Sequence, residues 1–329
     1  ENPNIFYQEG WHYDLNNACE DLTFKGVVFN EMKGVFASPE SQLRNGLYRM
    51  MFPDTCYQYE AGGMPQSIPT LTYEQFIETH TKHYHPSNSR IYLDGDVPIE
   101  SVLKLIDEQY LSHHDKTEMN ISIPIQKPIQ DVRQTGYYQA EEGEQAYLSF
   151  GKVLCSWDDV VKRLALNILS NYLTENNNSP LKKAVLSEGL AQDVYCYIDE
   201  SVQSQPVVFV AKQIDIDHEA DFWQILSDVK NSILENGIDK TELNAVINQI
   251  EFSVKEISEP KALGRNMFAL STWLYGGDPM DMLDFSGLWD KLRQLAETDY
   301  FEKLLCEIPF TAEESAVYVM LPSATRDEE

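Results

Sequence analysis

Phe24-Lys25-Gly26-Val27-Val28-Phe29-Asn30-Glu31-Met32-Lys33-Gly34 is the stretch on which the reading of this chain turns. Phe24, Val27 and Val28, with Val35 just beyond, recur at i, i+3, i+4 and i+11, one stripe of a 3.6-residue period. That spacing predicts a helix beginning around Glu20 or Asp21. Glu31 lies seven positions after Phe24, three after Val28 and four before Val35. The same period therefore sets its carboxylate on the apolar stripe, where an ionised group is costly unless paired, hydrogen-bonded or bound to a metal. The plainer alternative is a glutamate at the stripe edge that snorkels to solvent or meets Lys33. Spacing alone does not make a metal site.

Working outward, the sequence before this stretch is aromatic and irregular (Phe6, Tyr7, Trp11, Tyr13). After it, Ser38-Pro39-Glu40 breaks the helix and restarts another through Leu43, Leu47 and Met50-Met51. Pro53 to Pro69, with Gly62-Gly63-Met64-Pro65 inside, reads as loop. Thr72-Tyr73-Glu74-Gln75 is a capping box that opens a helix, and Pro86 stops it by disfavouring helical geometry at His85. Arg90-Ile91-Tyr92-Leu93 reads as a short strand before the turn Asp94-Gly95-Asp96, and a helix follows from about Ile99 to Leu111. His113 to Arg133, polar and carrying Pro124 and Pro128, is the candidate linker.

Beyond the linker, Tyr137-Tyr138 and Gln145 to Lys152 read as strands around Glu141-Glu142-Gly143-Glu144, most simply a solvated hairpin tip. Val161, Leu164, Ile168 and Tyr172 form the stripe of a strong helix. A second helix, capped by Asn176 to Pro180, ends at Gly189, and strands are read at Asp193 to Ile198 and Val207 to Ile214. Helices follow at His218 to Glu235, Lys240 to Ile257, from Pro260 to Tyr275 and near Tyr300 to Ile308, with a last strand Ala316 to Leu321. Strands in a run, then helices in a run, indicate an α+β layer rather than an alternating parallel sheet.

The 329 residues carry 53 acidic and 25 basic side chains, a formal charge of −28, and are 43% hydrophobic and 11% aromatic. Such a chain buries a core and is not disordered, and at roughly 150 residues per domain it makes about two domains. The negative balance argues against nucleic acid, whose phosphates are bound by Lys and Arg. No apolar run approaches the roughly 18 residues that span a bilayer, so no membrane partner is expected. Cys19, Cys56, Cys155, Cys196 and Cys306 are scattered and odd in number, which suggests reduced thiols and a cytoplasmic setting.

Other candidates for chemistry are weak. His80-Thr81-Lys82-His83-Tyr84-His85 invites a metal assignment. The helix stripe Tyr73, Phe76, Ile77, His80, Tyr84 instead points His80 at the core and sets His83 to one side. His12, His113, His114 and His218 have no acidic or cysteine partner at a ligand spacing and read as surface or core residues. G-x-S-x-G, a Walker loop and G-x-G-x-x-G are all absent.

The opening stretch, with Gln8-Glu9-Gly10-Trp11-His12, Ala61-Gly62-Gly63-Met64-Pro65, His83-Tyr84-His85-Pro86-Ser87-Asn88-Ser89-Arg90 and Trp273-Leu274-Tyr275-Gly276-Gly277-Asp278-Pro279, resembles the pitrilysin/insulinase-type zinc metallopeptidases in their presequence-protease branch. The resemblance implies a zinc endopeptidase that degrades unfolded peptides in a closed chamber of two halves, each of two related α+β domains. In that family zinc is held by the histidines of an inverted H-x-x-E-H motif and a more distant glutamate. The motif's own glutamate is the general base that activates the metal-bound water. By resemblance Glu31 is the distant metal ligand.

No H-x-x-E-H or H-x-x-E-x-H occurs in the chain, and in the family that motif lies upstream of the Glu31 signature. The expectation is therefore an internal segment. Residues 1–125 would be the C-terminal part of the first peptidase domain, left incomplete, and 126–329 a second, non-catalytic one, both with antiparallel or mixed sheets covered by helices. No catalytic residue is assigned, Glu31 is the metal residue, and substrate contacts stay unassigned. Zinc belongs to the intact protein, with none held tightly by this inactive segment. Expected partners are peptide substrates, the missing N-terminal segment and the C-terminal half, and an open sheet edge could drive self-association. The alternative is a non-catalytic chamber or scaffold subunit of the same fold.

Overall fold

Turn chemistry and apolar periodicity divide the chain into helices and strands that gather in two units. The computed structural model describes residues 2–15, 17, 21–119, 121–256, 260–285 and 287–325. One unit takes 1–38, 60–122 and 259–266, and the other 39–59, 123–258 and 267–329.

In the first unit, α1 (Pro3–Glu9) precedes the antiparallel pair β1 (His12–Asp14) and β2 (Thr23–Lys25), which leads into α2 (Val27–Val35). The sequence reads the segment holding α1 as irregular, yet Asn2 caps it by accepting from the Asn4 N–H and Pro3 occupies its first turn. The predicted start of α2 near Asp21 is corrected, because residues 23–25 pair as a strand; Glu20 lies outside the described residues. α3 (Pro39–Met51) belongs to the second unit. α4 (Tyr73–His83) starts on the expected capping box, with the Gln75 N–H donating to Thr72 Oγ1 at 3.3 Å and the Thr72 N–H to Gln75 Oε1 at 2.9 Å. α4 meets α1 through Phe6, whose ring lies 6.1 Å from Tyr73 and 5.6 Å from Phe76.

α5 (Ile99–Gln109) follows a stretch that is not the predicted strand. Residues 90–93 have no ladder partner among the described residues, and a lone extended segment is not a strand however β-prone its side chains. Side chains hold this loop instead. Tyr92 Oη donates to Asp94 Oδ2 at 2.9 Å, and Arg265 Nη1 reaches the same carboxylate at 3.3 Å.

Among its described residues the second unit is built on five strands: β3 (Val132–Gln139), β4 (Ala146–Ser156), β5 (Ala191–Ile198), β6 (Ser204–Ile214) and β7 (Ala316–Ser323). Their order is β3-β7-β4-β6-β5, with β3 and β7 parallel and the other pairs antiparallel. Glu141 to Glu144 is therefore not a hairpin tip, since the last strand of the chain inserts between the two strands that it joins. The helices of this unit after α3 are α6 (Val160–Thr174), α7 (Pro180–Ser187), α8 (Glu219–Asn236), α9 (Lys240–Lys255), α11 (Leu288–Ala296) and α12 (Tyr300–Glu307). α10 (Lys261–Trp273) joins them from residue 267 on, its earlier part belonging to the first unit. Helices and mixed sheets together give the α+β class that the sequence indicates. α11, absent from the sequence reading, buries Trp289 and Leu292 on one face.

Alternation along the strands splits the core in two. Leu148, Phe150, Val207, Phe209, Val317 and Val319 face the helical layer and meet Leu164, Ile168, Leu169 and Leu173 of α6. Phe150 and Phe209, register partners, stack at 4.7 Å. On the other face, Val208, Val210 and Met320 meet Leu43, Leu47 and Met51 of α3. Tyr318 threads this layer between two glycines. A Cβ on Gly46 of α3 or on Gly136 of β3 would stand 2.2 Å from its ring carbon or its hydroxyl, so both positions are glycine for want of space.

Asp199, just past β5, ties α3 to the sheet. Its Oδ1 accepts from the Ser201 N–H at 2.9 Å and Ser201 Oγ at 2.5 Å, and its Oδ2 from Tyr48 Oη, with Arg44 Nη2 at 3.4 Å. Burial opposes ionisation of this carboxyl, but the Ser201 and Tyr48 donors and the Arg44 charge outweigh it and hold Asp199 below the usual carboxylate range. A depressed folded-state pKa stabilises the fold above the ordinary value of 3.8 and stops doing so as pH falls through the folded value. Asp199→Asn should therefore destabilise the chain at neutral pH, and its deficit against the parent should shrink as pH drops below 3.8. Urea midpoints across that pH range give the comparison, and a deficit independent of pH would contradict it.

Candidate functional site

Three of the quoted motifs meet around α2. Its start is fixed by backbone contact: a Cβ on Gly26 would lie 2.1 Å from the Gly10 carbonyl oxygen and 2.7 Å from Trp11 Cα. Only glycine lets the chain turn into the helix there, and the Phe29 N–H then donates to the Gly10 carbonyl at 3.3 Å. Trp11 is held by its indole N–H donating to the Leu71 carbonyl at 2.9 Å, and its ring meets Tyr13 at 5.5 Å and Phe24 at 5.8 Å. Phe29, Met32 and Ile68 form the small core beneath, with Trp11 and Phe36 against it. The Met32 sulfur fills the space that a side chain on Gly62 would need.

This packing corrects the stripe. Phe29, Met32 and Phe36 face inward, whereas Val27, Val28 and Val35 are 53%, 37% and 38% exposed and Phe24 is 41% exposed. Periodicity finds an apolar face but does not say which of two apolar faces the chain itself covers, and the strand at Phe24 breaks the phase. Glu31 is on the exposed face with the three valines, so the expected inward placement does not hold. Among the described residues no ion pair or hydrogen bond engages its carboxylate, and Lys33 instead sits 5.7 Å from the Phe29 ring centroid.

The histidines do not gather. His80 is exposed and stacks on Tyr84 at 4.5 Å, which corrects its expected core position; α4 turns toward α1 through Tyr73 and Phe76 instead. The His83 carbonyl accepts from Asn88 Nδ2 at 2.9 Å. His85 Nδ1 accepts from the Ser87 N–H at 3.1 Å, and its ring stands edge-on to His114 at 5.4 Å. His218 pairs with Asp215 at 2.9 Å, whose carboxylate raises the imidazole's pKa. Among the described residues no group of three His, Cys, Asp or Glu side chains could hold a metal ion. A catalytic zinc takes three protein ligands, and Glu31 offers one. These residues do not fit a whole zinc site, and no step of a zinc reaction can be built from them alone.

With the geometry in hand, comparison with known proteins supplies the lineage. Residues 70–250 match the family model described as the Peptidase M16 inactive domain. Protein HypA of Clostridium perfringens is 36% identical over 309 residues, which is 92% of this chain and 32% of that protein. Presequence protease 1, chloroplastic/mitochondrial, of Arabidopsis thaliana is 33% identical over 300 residues, 87% of this chain and 28% of that protein. The chain thus spans about a third of the length of the curated relatives it matches. Among solved structures, a peptidase M16 inactive domain from Pseudomonas fluorescens shares the fold with a TM-score of 0.68 at 16% identity, over 90% of this chain and 68% of that one.

The packing node makes its own prediction. Gly26→Ala forces the backbone at the start of α2 away from Gly10, at a cost of about 1–3 kcal/mol for overpacking. Amide hydrogen exchange should speed up across 27–35 while α6 keeps its protection, and uniform protection in both would count against the contact. By the family model over 70–250 and the relatives on either side of it, the chain belongs to the M16 peptidases, the pitrilysin/insulinase family, and resembles their presequence-protease members.

Proposed function

We propose that this chain is an internal part of a zinc-dependent metalloendopeptidase that degrades unfolded peptides in a closed chamber. Residues 1–125 are then the C-terminal part of the first peptidase domain and 126–329 a second, non-catalytic domain. Glu31 is the distant metal ligand, and the histidines and the general base come from elsewhere in the protein, as do the N-terminal segment and C-terminal half that complete the chamber. The observation that carries this reading is the setting of Glu31: an exposed carboxylate on a helix face otherwise made of exposed valines. Solvent-facing helix sides are ordinarily polar, and an apolar face with one acid at its centre suits a surface covered by another layer that brings a cation. The unpaired thiols of Cys56, Cys155, Cys196 and Cys306 support the cytoplasm as the compartment; Cys19 lies outside the described residues.

A second reading is a non-catalytic chamber or scaffold subunit, favoured by the absence of H-x-x-E-H from all 329 residues and by the match to an inactive domain. Translation of the coding sequence upstream of residue 1 separates the two. An H-x-x-E-H supports the peptidase, and its absence returns Glu31 to an ordinary surface residue.

By itself the chain should be inactive and take up zinc weakly or not at all in isothermal titration, whereas a tight stoichiometric site would overturn the three-ligand argument. In the longer protein, Glu31→Gln should strip most of the zinc and the peptidase activity while circular dichroism stays unchanged; full metal occupancy would refute the assignment.

We also propose that the isolated chain self-associates. The first unit has only the two-stranded β1–β2 sheet among its described residues, and β3 forms a largely exposed edge of the second sheet. Light scattering at high concentration should report a mass above the monomer, and a clean monomer would rule this out.

A further inference from the structure

The face of the second unit's sheet that carries α3 also carries an open cleft of about 230 Å³ between that helix and β5. At about 30 Å³ per water this is room for roughly eight waters, the size of one large amino acid. Its floor is mainly apolar, from Leu43 and Val210, with Ser149 beside Val210 turning its hydroxyl to the Phe209 carbonyl at 3.1 Å. One wall is aromatic, with the Tyr195 and Tyr197 rings 6.2 Å apart and 25° from parallel. The Tyr195 hydroxyl makes no hydrogen bond to any described residue, so it is available to a ligand.

Two opposite charges border the same cleft, Glu40 and Arg44, one helical turn apart on α3. Each is anchored away from the other. Glu40 Oε1 meets Lys212 Nζ at 2.5 Å, and Arg44 Nη2 meets Asp199 Oδ2 at 3.4 Å. Lys212 lies 5.2 Å from the Tyr195 ring centroid and Arg44 stacks 4.5 Å from that of Tyr48, contacts that limit how far either can swing. Even so, the Glu40 side chain keeps 49% of its surface open and the Arg44 side chain 47%. Among the described residues, nothing pairs with the second carboxylate oxygen of Glu40 or the remaining guanidinium N–H groups of Arg44.

A cation would gain from Glu40 but meet Arg44 and Lys212, and an anion would gain from Arg44 but meet Glu40 and the overall negative charge. A ligand carrying both charges engages both residues. We propose that this cleft binds a free aromatic α-amino acid, its ring on the Tyr195–Tyr197 wall above Leu43 and Val210, its ammonium on Glu40 and its carboxylate on Arg44. A peptide interior lacks both charges, and a small amino acid leaves the apolar floor uncovered. The site stands independently of the peptidase reading, since none of its residues belongs to α2.

Isothermal titration of the 329-residue chain with L-phenylalanine tests it. Saturable binding at one site is expected, at least tenfold weaker for L-alanine and for N-acetyl-L-phenylalanine amide. Ser41→Phe, at the cleft on the first turn of α3, should abolish the heat by filling the space, and Glu40→Gln should weaken binding at least tenfold. Circular dichroism of both variants should match the parent. Absence of a saturable signal with L-phenylalanine at millimolar concentration would overturn the proposal. Equal binding of the blocked derivative, or undiminished binding by a folded Ser41→Phe chain, would overturn it as well.

Discussion

Helix α2 is apolar on two sides, and the first unit covers only one of them. Phe29 and Met32 are buried, while Val27, Val28 and Val35 on another side are each more than a third exposed. Fully burying an exposed valine contributes about 1.5–3 kcal/mol, and covering these three, already about half-buried or more, gains part of that for each. Glu31 at the centre of that side restricts what the layer can be. An apolar cover would strand a carboxylate away from water, at a cost that exceeds the gain from the valines. The cover must bring a cation or donors to that point. A metal with its other ligands would meet the condition, which is what the proposed role of Glu31 asks of the layer that covers this face.

The two units meet the demand for burial differently. The second has a sheet covered on both faces, with one apolar layer under α6 and its neighbours and another under α3. The first buries Phe6, Phe29, Met32 and Ile68, while Ile99, Leu103 and Tyr110, on one face along and just past α5, are exposed. A small unit keeps much of its apolar surface in contact with water, because surface falls more slowly than volume. Here, however, the exposed side chains line whole helix faces instead of being scattered singly, the pattern of a surface made to be covered.

Local rules read from the sequence hold where local chemistry decides the outcome. The Thr72–Gln75 capping box fixes the start of α4, and the stripe of Leu164, Ile168 and Tyr172 faces the core of the second unit, because caps and periodicity act within a few residues. Apart from the short helices α1 and α11, which the sequence reading lacks, the misreadings are about partners. Residues 90–93 have strand-like side chains and no strand to pair with; β7, some 160 residues further along the chain than β4, inserts beside β3; His80 lies on a stripe whose far end turns to solvent. Glu31 combines both cases. Its spacing correctly groups it with Val28 and Val35, but which side of α2 is covered depends on residues distant in sequence.

α3 shows how such long-range ties change what a helix offers. Glu40 and Arg44, at i and i+4 with the acid first, are placed to pair along the helix for about 0.3–0.5 kcal/mol. Each binds a residue of the sheet or its turns instead, Lys212 of β6 or Asp199 just past β5. Asp199 is the stronger tether, because its side chain is only 11% exposed and its two oxygens are occupied by Ser201, Tyr48 and Arg44. Cross-links of this kind hold α3 close enough for Tyr318 to lie against Gly46, and they prevent Glu40 and Arg44 from neutralising each other at the cleft. Two opposite charges thus stay apart beside an aromatic wall, which gives the cleft its preference for a ligand that is neutral overall, carries both charges at one end and presents a ring at the other.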